Sequence, residues 1–313
     1  MNRNLIFLLY GVPSVVVYAL TVSSICSIRS RLNATFVTVF LLTAFTNLIT
    51  YLNTWMALRL GGEPWFFSYY EFINAVSVIS YIHQFLVGFL YFAQNVNAFL
   101  LTLDRFFAIA GFRWKEIWNR HYKIFAVICH VFCMVLYYFT AGFLHQNREN
   151  AFVYDAKTNA YSLVIKDKSY TVISLSVQVG FGTILLSLCV ILNTISFYRL
   201  HRTQISGKHV KNVERSLFAI SICIFITQAL NILILIAVYY VLLISPNLDI
   251  YKMLVTIMPF FSDIFSLGPG VYTFIVPGPI RRQCLSVIVP CRKQQHNDIS
   301  VVVRISVQTT HTL

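Results

Sequence analysis

Apolar residues come along this chain in seven long runs: Leu5 to Ile28, Phe36 to Leu58, Phe72 to Leu103, Ile124 to Leu144, Tyr170 to Tyr198, Ser216 to Ile244 and Met253 to Pro279. They lack the strict alternation of a half-buried strand and the narrow stripe of an amphipathic helix. At 1.5 Å rise per residue, a hydrocarbon core of roughly 30 Å needs about 20 residues, and every run is long enough to cross. The pattern predicts an all-α membrane protein, a seven-transmembrane helix bundle spanning residues 1–282. A polar cytoplasmic tail, 283–313, follows and is expected to be disordered.

Composition agrees: 58% of residues are hydrophobic and 11% charged, against about a quarter charged in a soluble domain. The first run could be a cleaved signal. It exceeds the roughly 7–15 apolar residues of such a peptide, however, and Arg29 and Arg31 stand where a small-residue cleavage site belongs. The net charge of +13 could suggest nucleic acid, but the aromatic residues lie inside the runs rather than among the basic ones, so no nucleic-acid partner is expected. Placement of the charge is more telling. Of the 24 Lys and Arg, 17 fall after the first, third, fifth and seventh runs, and positive charge stays on the cytoplasmic side. The amino terminus is thus expected outside and the carboxyl terminus in the cytoplasm of a plasma-membrane protein.

The longest outer connection, His145 to Ser169, mixes charges with Tyr154, Tyr161 and Ile165 and suggests a short hairpin over the bundle mouth. No outer disulfide is expected, because the seven cysteines fall in the runs or on the inner side. Cys284 and Cys291 are candidates for palmitoylation, with unmodified thiols as the alternative.

Candidate chemistry is sparse. No HExxH or paired intramembrane carboxylates occur, Asp263 being the single acidic residue well inside a run, so neither an enzyme nor a metal or cofactor site is expected. Lys252 lies only at the outer mouth of the seventh run, which argues against a retinal Schiff base. At the inner end of the third run an acid and a base are adjacent, Asp104 and Arg105. Successive helix positions point about 100° apart, so the carboxylate can hold the guanidinium from the side and exchange it when neighbouring helices part. Glu214, opening the sixth run, is placed to reach Arg105. Asn47, Gln94, Asn95 and Asn97 are candidates for hydrogen bonds between helices. His83, Gln84, Val87 and Tyr91 on the third run, Gln228 and Asn231 on the sixth, and Asp263 on the seventh are candidates to line an outer ligand pocket. Asp263 could pair with an amine ligand or bind another helix.

Two stretches carry a family resemblance. Asp104-Arg105-Phe106 resembles the Asp-Arg-Tyr motif of rhodopsin-like G-protein-coupled receptors, and Gly268-Pro269-Gly270-Val271-Tyr272 is similar to their Asn-Pro-x-x-Tyr motif, with Pro269 a bend point. Leu42 to Asn47 resembles the family's helix-two pattern, Asn47 standing where an aspartate usually binds sodium. The chain departs from the family pattern in lacking a tryptophan in helix four, prolines in helices five and six, and the disulfide. The Leu101–Ile109 stretch, Glu214-Arg215, Phe261-Ser262-Asp263 and Arg281-Arg282 together resemble the nematode serpentine chemoreceptors of the gamma and V group. That resemblance implies a chemosensory receptor that detects a small molecule, signals to a cytoplasmic heterotrimeric G protein, and works in a sensory neuron. Asp104, Arg105, Glu214, Pro269 and Tyr272 would form its activation switch. A multi-pass transporter or channel is the alternative, and would need a polar path through the membrane.

Overall fold

The computed structural model describes residues 3–110, 112–139, 152–156, 159–163, 168–202, 208–243 and 248–288. Among these residues, seven helices long and apolar enough to cross a membrane form a bundle. They are α1 (Arg3–Ser27), α2 (Ala34–Thr54, prolonged by a π-helical turn, Trp55–Arg59), α4 (Ser77–Ala110), α5 (Phe112–Tyr137), α6 (Lys168–Arg202), α7 (Lys208–Leu243) and α8 (Leu248–Ile275). A short α3 (Phe67–Ala75) precedes α4, and α9 (Pro279–Ile288) follows α8. The central helix is α4, which packs on α2, α5, α6 and α7, while α8 packs on α1, α2, α7 and α9. Aromatic and aliphatic side chains from α1, α2, α4 and α8, among them Tyr18, Phe36, Phe40, Phe92, Leu100 and Phe265, make the core.

Several boundaries differ from those the apolar pattern predicts. The third run is not one helix from Phe72. It breaks at Val76 (φ −108, ψ 82), because Asn74 is held by the outer connection: its amide donates to Phe152 O at 2.6 Å and accepts from Phe152 N at 3.3 Å. The fourth span starts at Phe112 rather than Ile124. Trp118 and Tyr122 are buried against the bundle while Glu116, Asn119 and Arg120 face outward, so the polar stretch is amphipathic helix. That span therefore does contain tryptophans, Trp114 and Trp118. The stretch assigned to the tail begins as helix: residues 283–288 belong to α9, and Cys284 is fully buried. Residues 289–313, Cys291 included, lie outside the described residues.

The outer connection contains the hairpin suggested by its sequence. Strands β1 (Phe152–Asp155) and β2 (Ala160–Leu163) pair antiparallel, Tyr154 opposite Tyr161, and Asn159 takes a positive φ of 49°, a conformation its short polar side chain tolerates. The hairpin sits over α3 and the end of α2. Tyr70, Ile73, Ala57 and Phe152 form a separate buried cluster there. Burial raises the pKa of the Tyr70 phenol, which stays a neutral donor to Met56 O at 2.7 Å. Gly61 allows the approach, since a Cβ there would meet Tyr161 O at 1.9 Å.

Backbone proximity also sets the α1–α8 contact. A Cβ on Gly270 would come within 2.8 Å of Tyr18 Cα, and Thr21 donates to Gly270 O at 3.2 Å. Gly180 on α6 has nothing within 4 Å of a built Cβ. Gly270→Ala is therefore expected to lower stability by about 1–3 kcal/mol through overpacking, and Gly180→Ala to leave it unchanged or raise it by up to ~1 kcal/mol. Thermal unfolding in micelles, followed by tryptophan fluorescence, checks this; equal shifts would contradict the close approach.

Candidate functional site

Polar side chains run through the bundle in three groups, each tied to α4 or α8. At the end where α2 begins, Asp104 is fully buried and Arg105 nearly so. Asp104 Oδ1 accepts from Thr35 Oγ1 of α2 at 2.6 Å and from Trp118 Nε1 of α5 at 2.9 Å. Its Oδ2 accepts from Arg105 Nη2, and from Arg105 Nε at 3.2 Å. Arg105 Nη1 reaches Glu214 Oε2 on α7 at 3.0 Å, and its guanidinium lies 4.8 Å from the centre of the Phe36 ring. One acid–base pair thus joins α2, α4, α5 and α7. Coulomb attraction is strong where water is excluded, and the extra donors on Asp104 satisfy lone pairs that burial would otherwise leave empty. The structure brings Asp104, Arg105 and Glu214 together as their positions suggested. Thr35 and Trp118 carry no such signal in the sequence, because both lie outside the apolar runs, in stretches that the pattern predicts as connections.

Mid-bundle amides make the second group. Gln94 Nε2 donates to Asn47 Oδ1 at 2.9 Å and to Ser266 Oγ at 2.8 Å, and Asn47 Nδ2 to Tyr18 OH at 3.2 Å. This chain connects α1, α2, α4 and α8. Asn97 bonds not to Asn47 but to Thr46 Oγ1 at 2.9 Å. Asn95 donates to Tyr91 O and accepts from Gln228 Nε2 at 3.1 Å. Gln228, suggested as a pocket residue, is instead fully buried and links α7 to α4, because its amide finds a facing amide at the same depth.

At the end where α1 begins, Arg59 donates to Asp263 Oδ1 at 2.6 Å, and Tyr10 OH to Asp263 Oδ2 at 2.5 Å. The Arg59 side chain is wholly buried and lies 4.2 Å from the Phe7 ring centre and 5.0 Å from that of Trp55. Its Nε and Nη1 find no oxygen partner, so aromatic faces cover them. Charge counting had placed Arg59 in an outer connection. Its cue was present all the same, in five apolar residues flanking it, Trp55 to Leu58 and Leu60, and in a lone intramembrane acid awaiting a counterion. Asp263 therefore binds another helix.

Among the described residues, the outer-pocket candidates take separate partners. His83 bridges Tyr69 OH and Asn53 Oδ1, each at 2.9 Å, Val87 packs in the cluster under the hairpin, and Tyr91 OH donates to Gln178 O on α6 at 3.4 Å. Asn231 is half-buried on α7; the side chain of Gln84 lies outside the described residues. Asp263 does line a cavity of about 230 Å³ between α1 and α8 with Tyr10, Ser14, Leu267, Gly268 and Tyr272. Pro269 lies within α8, which runs unbroken through it, and Tyr272 is half-buried. Cys284 packs its thiol 4.0 Å from Leu20 O, so in this fold it is not presented for acylation.

Residues 4–284 match the family model described as Srg family chemoreceptor. No curated protein matches the chain.

Removing one member of a buried ion pair strands the other. Asp263→Ala is expected to cost about 3–5 kcal/mol, and Arg59→Met with Asp263→Ala together clearly less than Asp263→Ala alone. Denaturation of Arg59→Met, Asp263→Ala and the double variant in micelles measures the coupling. An additive cycle would mean that the pair does not hold α2 to α8.

Proposed function

Since the chain belongs to the Srg family of chemoreceptors, and is a multi-pass membrane protein, we propose that it detects a small molecule at the amino-terminal face and signals to a heterotrimeric G protein. The observation that carries this reading is the Arg105 junction. Arg105 is clamped between its neighbour Asp104 and Glu214, and Glu214 is on α7. A movement of the inner end of α7 removes one of its two carboxylates. The guanidinium then offers free donors at the mouth of the bundle, where a partner's backbone carbonyls can take them. Asp104 stays anchored by Thr35 and Trp118, so the motion resolves into two packings rather than a general loosening.

Ligand binding shifts the population between them. A route for the shift is available in α8, which carries Asp263 near its middle and Pro269 and Tyr272 toward its carboxyl-terminal end. The cavity between α1 and α8 runs from Asp263 to Tyr272, so an occupant would bear on both. The asymmetry of Lys and Arg supports an amino terminus outside and a cytoplasmic α9 in the plasma membrane, and the family supports a sensory neuron as the setting. Among the described residues, the polar groups of the three clusters are paired across helices, which favours a receptor over a transporter or channel.

Glu214→Gln is expected to raise ligand-independent signalling about five-fold or more, in line with coupling energies of 1–3 kcal/mol between sites. Arg105→Ala should abolish the response to any activating metabolite or odorant. Both are read from a second-messenger reporter in cells expressing the full chain at matched surface levels. Uptake of the activating compound, with a response indifferent to Arg105→Ala, would instead identify a transporter.

A further inference from the structure

On the face that carries α9, a cavity of about 580 Å³ opens where α7 begins, α8 ends and α9 turns away. This falls within the roughly 300–1,000 Å³ typical of ligand sites. Arg215 from α7 and Arg281 and Arg282 from α9 line it, and among the described residues no Asp or Glu does. Glu214, the nearest acid in sequence, is turned inward onto Arg105 at 3.0 Å, which leaves the charge of Arg215 on the cavity side. Gly278, at the start of α9, approaches α7 so closely that a Cβ would meet Ser216 Oγ at 2.3 Å, and it brings no side-chain acceptor to the first turn of α9. The positive end of that helix dipole therefore adds to the three guanidiniums.

The other wall is apolar. Val213, Ala219, Val276 and Leu285 line the cavity; Leu285 is exposed, as are Ile275 at the end of α8 and Val287 and Ile288 in the last turn of α9. A site that joins three cations to open hydrocarbon surface, at the level where the α7 and α8 spans end, suits an amphiphile. We infer that this cleft binds the phosphorylated headgroup of an anionic membrane lipid, with the acyl chains lying along α7 and the end of α8. Arginine forks match phosphate oxygens in pairs. Basic pockets between helices on a cytoplasmic face take such headgroups. A bound headgroup bridges α7 to α9 and so favours the packing in which Glu214 holds Arg105.

The test uses the full chain in phosphatidylcholine nanodiscs, with no receptor ligand, so that its outcome is separate from the signalling reading. Fluorescent phosphatidylinositol 4,5-bisphosphate is titrated in. Binding to the wild type is expected to saturate and to resist inositol trisphosphate at equal concentration. The triple change R215Q/R281Q/R282Q should weaken it by roughly a hundredfold, about fivefold per arginine. R120Q/R202Q removes two exposed cations from the same face outside the cleft and should change it little. Leu285→Glu keeps the arginines and places a like charge against the headgroup; it should weaken binding and serves if the triple variant does not fold. Equal losses in the cleft and control variants would overturn a defined site. Full competition by inositol trisphosphate would show a soluble phosphate site instead of a lipid site.

Discussion

A bilayer core offers no water to a polar group, so a polar side chain in these spans is stabilised by a partner on another helix or on its own backbone. The bundle is organised around such partners. Asp104 takes donors from α2 and α5 besides Arg105, Gln94 bonds to both α2 and α8, and Asp263 is met by Arg59 and Tyr10. Each group crosses helix boundaries because one helix cannot satisfy a carboxylate or an amide by itself. The polar residues thereby fix which faces of the helices meet, a task that uniform aliphatic surfaces in lipid perform poorly.

The two ion pairs differ in a way that bears on function. Arg59 is enclosed by Phe7, Tyr51 and Trp55 and is wholly buried, so separating it from Asp263 exposes both charges to an apolar medium. Arg105 has a choice of partners, and one of them, Glu214, is 16% exposed at the end of its helix. Releasing Glu214 costs less because water can solvate it on departure. The Arg59 pair thus acts as a fixed clasp between α2 and α8, and the Arg105 junction is the one suited to change state.

The cleft of Arg215, Arg281 and Arg282 begins one residue from Glu214. The helical offset between adjacent positions sends one side chain to the bundle interior and the next to the membrane boundary. An event at the boundary and the state of Arg105 are therefore mechanically close, through the first turns of α7 alone.

By itself the sequence determined the solvent and the architecture: seven apolar runs of crossing length, a hairpin in the longest connection, and an Asp104–Arg105 pair whose members are chain neighbours. These follow from local order, since run length reports burial in lipid and adjacent residues on a helix have known relative directions. Only the tertiary structure decided that Arg59 lies inside the bundle against an acid 204 residues away, that the third run breaks at Val76, that Gln228 pairs with Asn95, and that Cys284 is packed against α1. Those outcomes depend on the depth and rotation of each helix relative to its neighbours. Such quantities are set by side-chain packing and close backbone approach across the bundle, as at Gly270 and Tyr18, and leave no periodic trace along a single chain.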